Sequence, residues 1–433
     1  MSGAAASRRT WPAQLAGAAL AFQALFAMTS FGRWLRPEYG AIAALLLLVA
    51  AGGARWRALA RHPLAWLVLA FVVYAVLQAA YVAQLAPGVP VAKHLSANAE
   101  PVRVGVFACA IGAWLADRPR YMPHLLGLMV VGFALAALAC APWRELGAVV
   151  AGSLRLRFRY AENIVGEYAA IGLLLLTLYA ASTPLRGRAA KAAALGLAAL
   201  LLLACLLYAQ SRAAWLAAGL IPLVAVAHQR AVTARWRRPA AVAAAAAVFA
   251  VAAVLCVGYT LVARRFAGGE ALAEALAHGG LATLPPSSAS VRLQLAALGL
   301  HAWQAHPLLG SGLYGIGPMI AASGIRIADY VPPHLHNAYL QAAVGLGGIG
   351  AALLLAAFGV LVRELVLARR AGEVGAALYW ALLGSLGIVL VVNAFDFLLW
   401  RFDYLRAPLE ILLGCCFALS LRRRGAGPAA GAA

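Results

Sequence analysis

His334–Gly350, HLHNAYLQAAVGLGGIG, opens an apolar run that continues to position 362. A run of this length reads as a helix crossing a bilayer, because about twenty apolar residues span the hydrocarbon core. Similar runs recur throughout the 433 residues, of which 64% are hydrophobic and only 11% charged. The chain is therefore expected to be an all-α polytopic membrane protein with about 12 transmembrane helices. The runs lie at 11–31, 38–54, 64–85, 102–116, 122–140, 164–181, 190–208, 213–227, 239–262, 337–362, 375–395 and 404–421. The opening MSGAAASRRT and the apolar run behind it have the outline of a signal peptide. The many spans that follow make that run the first anchored helix instead. Cys109, Cys140, Cys205, Cys256, Cys415 and Cys416 lie in or beside apolar runs, without metal-type spacing, and read as packing residues.

Lys and Arg in the short loops set the orientation. With both termini cytoplasmic, that side receives Arg8 and Arg9, the Arg55–Arg61 loop, Arg118 and Arg120, the Arg186–Lys191 loop, the Arg230–Arg238 loop, Arg363–Arg370 and Arg422–Arg424. The chain then divides into helices with short loops over 1–262, a long periplasmic segment with short amphipathic helices over 263–336, and three helices with a basic cytoplasmic tail over 337–433. The net charge of +21 leaves basic residues on the outward side as well: Lys93, Arg103, Arg144, Arg155, Arg157, Arg159, Arg212, Arg264, Arg265, Arg292 and Arg326. Snorkelling to lipid head groups accounts for about half of them. The others read as lining a cavity for an anionic ligand, since the planar arginine fork donates two hydrogen bonds at once to phosphate. No nucleic-acid partner is expected.

Inside 263–336, Gly269–His278 reads as a short helix closed by Gly279 and Gly280. Pro285, Pro286, Ser287 and Ser288 break the chain and offer capping oxygens. A helix from Ala289 to Ala305 follows and stops at Pro307. Two stripes, Leu293/Ala297/Leu300/Gln304 and Arg292/Ala296/Gly299/Trp303, would lay it against the membrane or the bundle. Arg292 in its first turn opposes the helix dipole, which an anion shared with the free N–H groups would relieve. Gly310, Gly312 and Gly315 match GxGxxG, but no strand precedes them and no βαβ unit exists. They are expected to form a tight re-entrant turn toward the membrane.

Gln210-Ser211-Arg212 joins two apolar runs with almost no loop and forces a tight outward hairpin. Arg155–Asn163 alternates charged and apolar residues before a span, and reads as a surface strand, an interfacial coil or a groove for sugar phosphate. Lys93-His94 gives a weaker signal in another outward loop. His334 and His336 are two apart, but Asp329 is the only acid nearby in sequence, so no metal is expected. His336-Asn337 at a membrane boundary is the sharper feature. Histidine is costly near hydrocarbon and exchanges a proton near neutral pH, which points to a reaction centre facing one side of the bilayer. Gly345, Gly347, Gly348 and Gly350 behind it are expected to allow close packing between helices.

These residues resemble the O-antigen ligase and O-antigen polymerase superfamily of bacterial inner membranes. The ligase pattern is His, then Asn, Ser or Gln, nine residues, and Gly-x-x-Gly. His336, Asn337, the nine residues Ala338–Leu346, Gly347 and Gly350 reproduce it. Upstream, VRLQLAALGLHAWQAHPLLGSGLYG resembles the superfamily's Arg…Trp…Pro-Leu-x-Gly-x-Gly segment at Arg292, Trp303, Pro307, Gly310 and Gly312. Ser211-Arg212 resembles its outward Ser-Arg, and Ala161-Glu162-Asn163 its Asn before a span. The resemblance covers roughly 160–355.

The resemblance implies a glycosyltransferase that moves O-antigen polysaccharide from undecaprenyl pyrophosphate to lipid A-core oligosaccharide at the periplasmic face of a Gram-negative inner membrane. His336 would be the general base. Arg212, Arg265, Arg292 and Arg159 would bind the donor pyrophosphate and stabilise its growing charge. Asn337, Asn163, Lys93 and His334 would orient substrate. The reaction is expected to be metal-independent, free of cofactors and inverting, among membrane lipids. An O-antigen polymerase or a protein O-oligosaccharyltransferase would share the donor and differ in acceptor. A secondary transporter would instead need matched halves and broken helices near the midplane, and no internal repeat is evident.

Overall fold

A computed structural model describes residues 11–29, 53–158, 161–183, 188–232, 274, 287–326, 329–399 and 403–425. Among the described residues every regular element is a helix. The main ones are α1 (Trp11–Ala27), α2 (Gly53–Ala60), α3 (Pro63–Leu85), α4 (Val91–Ala116), α5 (Met122–Cys140), α6 (Glu162–Ser182), α7 (Ala189–Tyr208), α8 (Arg212–Val232), α9 (Ser288–Ala305), α10 (Ile316–Ser323), α11 (Ala338–Arg370), α12 (Ala376–Asn393) and α13 (Asp403–Gly425). Seven stretches among the described residues are long and apolar enough to cross a bilayer: α3, α4, α5 with its leading turn, α6, α7, α11 and α12.

The expected span 239–262 lies outside the described residues, as does 38–54 apart from its last two positions. The expected helix Gly269–His278 also lies outside them, except for Glu274. α1 and α8 are apolar but shorter over their hydrophobic part. Expected span 404–421 falls in α13, which departs from a plain apolar helix because Arg406 and Glu410 sit within it, each 1% exposed. Burial of such charges is tolerable only with partners. Arg406 pairs with Glu100 on α4, its Nε lies 3.2 Å from Glu410, and Gln23 on α1 donates to Glu410 at 3.1 Å.

α11 is the second departure. Its hydrophobic period is continuous, yet Gly347 adopts φ 65 and ψ 179 and splits the helix. A break orphans carbonyls above it and N–H groups below it, which hydrocarbon cannot satisfy. The loop after α9 supplies both sets of partners. Ser311 N–H donates to Val344 O at 2.8 Å and Gly312 N–H to Gly345 O at 3.0 Å. Gly348 N–H donates to Pro307 O at 2.7 Å and Ile349 N–H to Leu308 O at 3.2 Å. Tyr74 and Gln78 on α3 complete the seal by donating to Leu346 O and Gly345 O. The expected re-entrant turn is thus present, with Gly310 at φ 70 and Gly312 at φ 89. The reading of Gly347 as a helix–helix packing residue is corrected, because its close neighbour is the backbone of Leu308.

α9 starts one residue before the expected position. Ser287 caps it, the side chain accepting from Ser290 N–H at 3.1 Å. Its buried stripe is Val291, Leu295 and Gly299, packed with Ile316, Ile320, Leu335 and Val344. Of the two expected stripes, Gly299 is buried, Arg292, Leu293, Ala296, Ala297 and Trp303 are half-buried, and Leu300 and Gln304 are exposed. Docking on α10 and on the upper half of α11 decided the face, and α10 has no counterpart in the sequence reading.

Candidate functional site

The upper end of α11 builds the centre of a cavity of about 590 Å³. Asn337 caps α11, its side chain accepting from Leu340 N–H at 2.9 Å. Immediately before it, His336 adopts φ 52, a conformation costly for a residue with a Cβ. The strained backbone is held by His336 N–H donating to His334 Nδ1 at 3.2 Å. The neighbouring Leu335 N–H donates to Gln341 Oε1 at 3.0 Å. The two imidazoles lie 4.2 Å apart.

Asp396, in the turn after α12, is the residue the sequence reading missed. Its Oδ1 lies 3.2 Å from His336 Nδ1 and 3.8 Å from His334 Nε2, and accepts from Phe397 N–H at 2.8 Å. Asn163 at the start of α6 donates to Oδ2 at 2.6 Å, and Arg155 donates to the Asn163 carbonyl oxygen at 3.0 Å. Arg155 is itself anchored on Ala209 O at 3.0 Å and beside Glu162. Burial alone would raise the Asp396 carboxyl, but the hydrogen bond from His336, the two histidine charges and the Asn163 amide hold it well below the usual carboxylate range.

Arg212 and Arg292 line the same cavity, together with Asn163, His336, Asn337 and Asp396. The expected hairpin places Arg212. α7 ends at Tyr208, Gln210 takes φ 49, and α8 begins at Arg212, which donates to Ser288 Oγ at 3.4 Å. Arg292 follows the first turn of α9, whose Ala289 also faces the cavity. Its Nε is buried without a partner among the described residues. Burial and the neighbouring Arg212 lower its pKa, against the pull of Asp396. Among the described lining residues, Arg212 and Arg292 thus bring two positive charges to a cavity with one carboxylate, Asp396, a balance that favours an anion.

Arg159 and Arg265 lie outside the described residues. Lys93 does not line the cavity. It donates to the Tyr314 hydroxyl at 3.1 Å and lies over that ring, while His94 is buried beside it. Asn337 and Asn163 line the cavity, but their carbonyl oxygens are engaged in capping α11 and in accepting from Arg155. His334 is buried behind His336 as its support. Arg155–Phe158 is a coil, Leu156 N–H donating to Tyr208 O at 2.8 Å, and Glu162 and Asn163 already belong to α6.

Asp329 is the only acid near the two histidines in sequence, but the fold brings Asp396 to them from 60 residues beyond His336. His334, His336 and Asp396 present ligand atoms within 4.8 Å of one another, a set a metal ion could use. Residues 197–355, a little over a third of the chain, match the family described as O-antigen ligase. The matched stretch contains Arg212, Arg265, Arg292 and His334–Asn337, and leaves Asn163 and Asp396 outside it. No curated protein matches the chain.

Proposed function

We propose, from the family match over residues 197–355, that the protein is an O-antigen ligase. It would transfer a completed glycan from undecaprenyl pyrophosphate to lipid A-core oligosaccharide at the periplasmic face of the inner membrane, with both termini cytoplasmic. The observation that carries the reading is one cavity in which His336, backed by Asp396, faces two arginines. A proton on Nδ1 is satisfied by Asp396, which leaves the Nε2 lone pair to act as base.

In the reaction, the acceptor hydroxyl gives its proton to His336 as its oxygen bonds to the anomeric carbon. The bond from that carbon to the pyrophosphate oxygen breaks, and the pyrophosphate departs with the electron pair. Arg212, Arg292 and the N-terminal N–H groups of α9 meet its growing charge. Asp396 stabilises the imidazolium that forms, as an anion held beside a catalytic histidine does in other enzymes. Attack from the imidazole side and departure toward the arginines give inversion.

The same arginines oppose a dication next to His334, His336 and Asp396, so the reaction is metal-independent in this reading. Transfer should survive excess chelator; loss of activity restored by a divalent ion would overturn that part. His336→Ala should fold and insert normally and lose about 10²-fold or more in kcat. Purified protein is given lipid-linked glycan and rough lipopolysaccharide, and the products are separated by electrophoresis. Smooth lipopolysaccharide supports a ligase, lengthened glycan still on its lipid carrier supports a polymerase, and an active alanine variant removes His336 from the mechanism.

A further inference from the structure

Arg155 lies beside the polar cavity but is not among the residues that line it. It sits in the coil before α6, and each nitrogen of its guanidinium meets a different acceptor. Nε donates to Ala209 O at 3.0 Å, Nη2 donates to Asn163 Oδ1 at 3.0 Å, and Nη1 lies 3.6 Å from Glu162 Oε2. These acceptors belong to two separate pieces of the site. Ala209 is in the hairpin between α7 and α8, just ahead of Arg212. Glu162 and Asn163 open α6, and Asn163 donates to Asp396 Oδ2 at 2.6 Å. The neighbouring Leu156 N–H adds a second tie to the hairpin through Tyr208 O at 2.8 Å.

A side-chain amide can turn either its NH₂ or its oxygen toward a neighbour. Only the NH₂ is attractive to the Asp396 carboxylate. By donating to Asn163 Oδ1, Arg155 occupies the oxygen and fixes which end of the amide faces Asp396. Asp396 in turn lies 3.2 Å from His336 Nδ1. A relay therefore runs from Arg155 through Asn163 and Asp396 to His336, each hydrogen bond polarising the next. We propose that Arg155 is a positioning residue, one rigid fork that grips both the Asn163 amide and the Arg212 hairpin and so keeps His336 in register with Arg212. The proposal rests on the reading of His336 as base and of Arg212 as a contact of the leaving group, and names the residue that sets their relative place.

The task suits arginine and excludes lysine. A planar guanidinium presents its donors in fixed directions, whereas an ammonium on a flexible stem is a point charge that cannot span these acceptors. Misplacing a base by about 1 Å lowers a rate by as much as about 10²-fold. The contacts of Arg212 and Arg292 with the donor survive such a slip, so turnover suffers more than donor binding.

Two measurements on the full-length protein test this. Arg155→Lys should lower kcat for transfer to rough lipopolysaccharide about tenfold or more and change donor KM less than about threefold. Asn163→Ala should do the same, and Arg155→Lys added to it should lower kcat by no more than about a further twofold, because the relay is already broken. Effects that multiply, a KM change as large as the kcat change, or an unchanged kcat would overturn the proposal. The second readout needs no turnover. Diethyl pyrocarbonate acylates neutral imidazole, and the adduct on His336 is followed by mass spectrometry with the exposed His301 as reference. Arg155→Lys should slow the His336 adduct about threefold or more relative to His301, and Arg155→Gln serves in its place if the lysine variant does not fold. A His336 rate that does not fall in the folded variant would also overturn the proposal. A slowed adduct in a protein that transfers no glycan would count against the ligase reading and leave the positioning role standing.

Discussion

Asp396 shows most clearly what one side chain contributes here. It accepts from Asn163 at 2.6 Å and lies 3.2 Å from the imidazole of His336. Asp396→Asn keeps the size but removes the charge that would stabilise an imidazolium, and an amide nitrogen can meet His336 Nδ1 in place of oxygen. Transfer should fall about 10²-fold or more in kcat with little change in donor KM. An unchanged kcat would assign Asp396 a purely structural part. The acid limb of stability should change too. The carboxyl is lowered in the folded protein, so its contribution is full above the unfolded value of about 3.9 and fades as pH falls toward the lowered folded value. The Asn variant should flatten that limb in thermal unfolding measured against pH. His336, Arg212 and Arg292 were legible in the sequence because spacing and misplaced charge mark them. Asp396 was not, since it lies 60 residues beyond His336 and only the return of α12 brings it back.

α11 shows what periodicity can and cannot reveal. Its apolar pattern predicted one continuous helix, and hydropathy gives no sign that Gly347 interrupts it. The interruption is stable only because the loop from Pro307 to Gly312 pairs with both broken edges, a contact between distant segments. The glycines themselves were visible, and their spacing matched a family pattern, but their reason is backbone contact with a loop. A Cβ at Gly347 would strike Leu308 carbonyl while the backbone holds φ 65. Gly347→Ala should therefore cost more than about 2 kcal/mol, seen as a lowered unfolding temperature in detergent. Gly359 lies on the same helix with nothing within 4 Å of an added Cβ. Gly359→Ala should be neutral or stabilise by about 0.5–1 kcal/mol. Equal behaviour of the two variants would mean the break contributes nothing.

The whole bundle depends on how α13 is tied in. Composition fixed the class, and the apolar runs placed most described helices within a few residues. The sequence did not reveal that the last helix binds both ends of the molecule through charge. At one end Arg406 and Glu410 join α13 to Glu100 on α4 and Gln23 on α1. At the other, Arg423 and Arg424 meet Glu364 on α11, and Ser420 lies 2.6 Å from His62 Nε2 between α2 and α3. A buried pair of this kind adds little compared with apolar side chains of the same shape, yet removing one partner strands the other. Arg406→Leu removes the opposite charge beside Glu410, a carboxylate 1% exposed, and should cost about 3–5 kcal/mol. Arg406→Leu combined with Glu410→Leu should recover most of that loss, because no stranded charge remains beside Gln23. Unfolding temperature and yield of monodisperse protein in detergent measure both. If the double variant is as unstable as the single one, the cluster acts through packing rather than charge, and the ties at Glu364 would have to hold α13 in place alone.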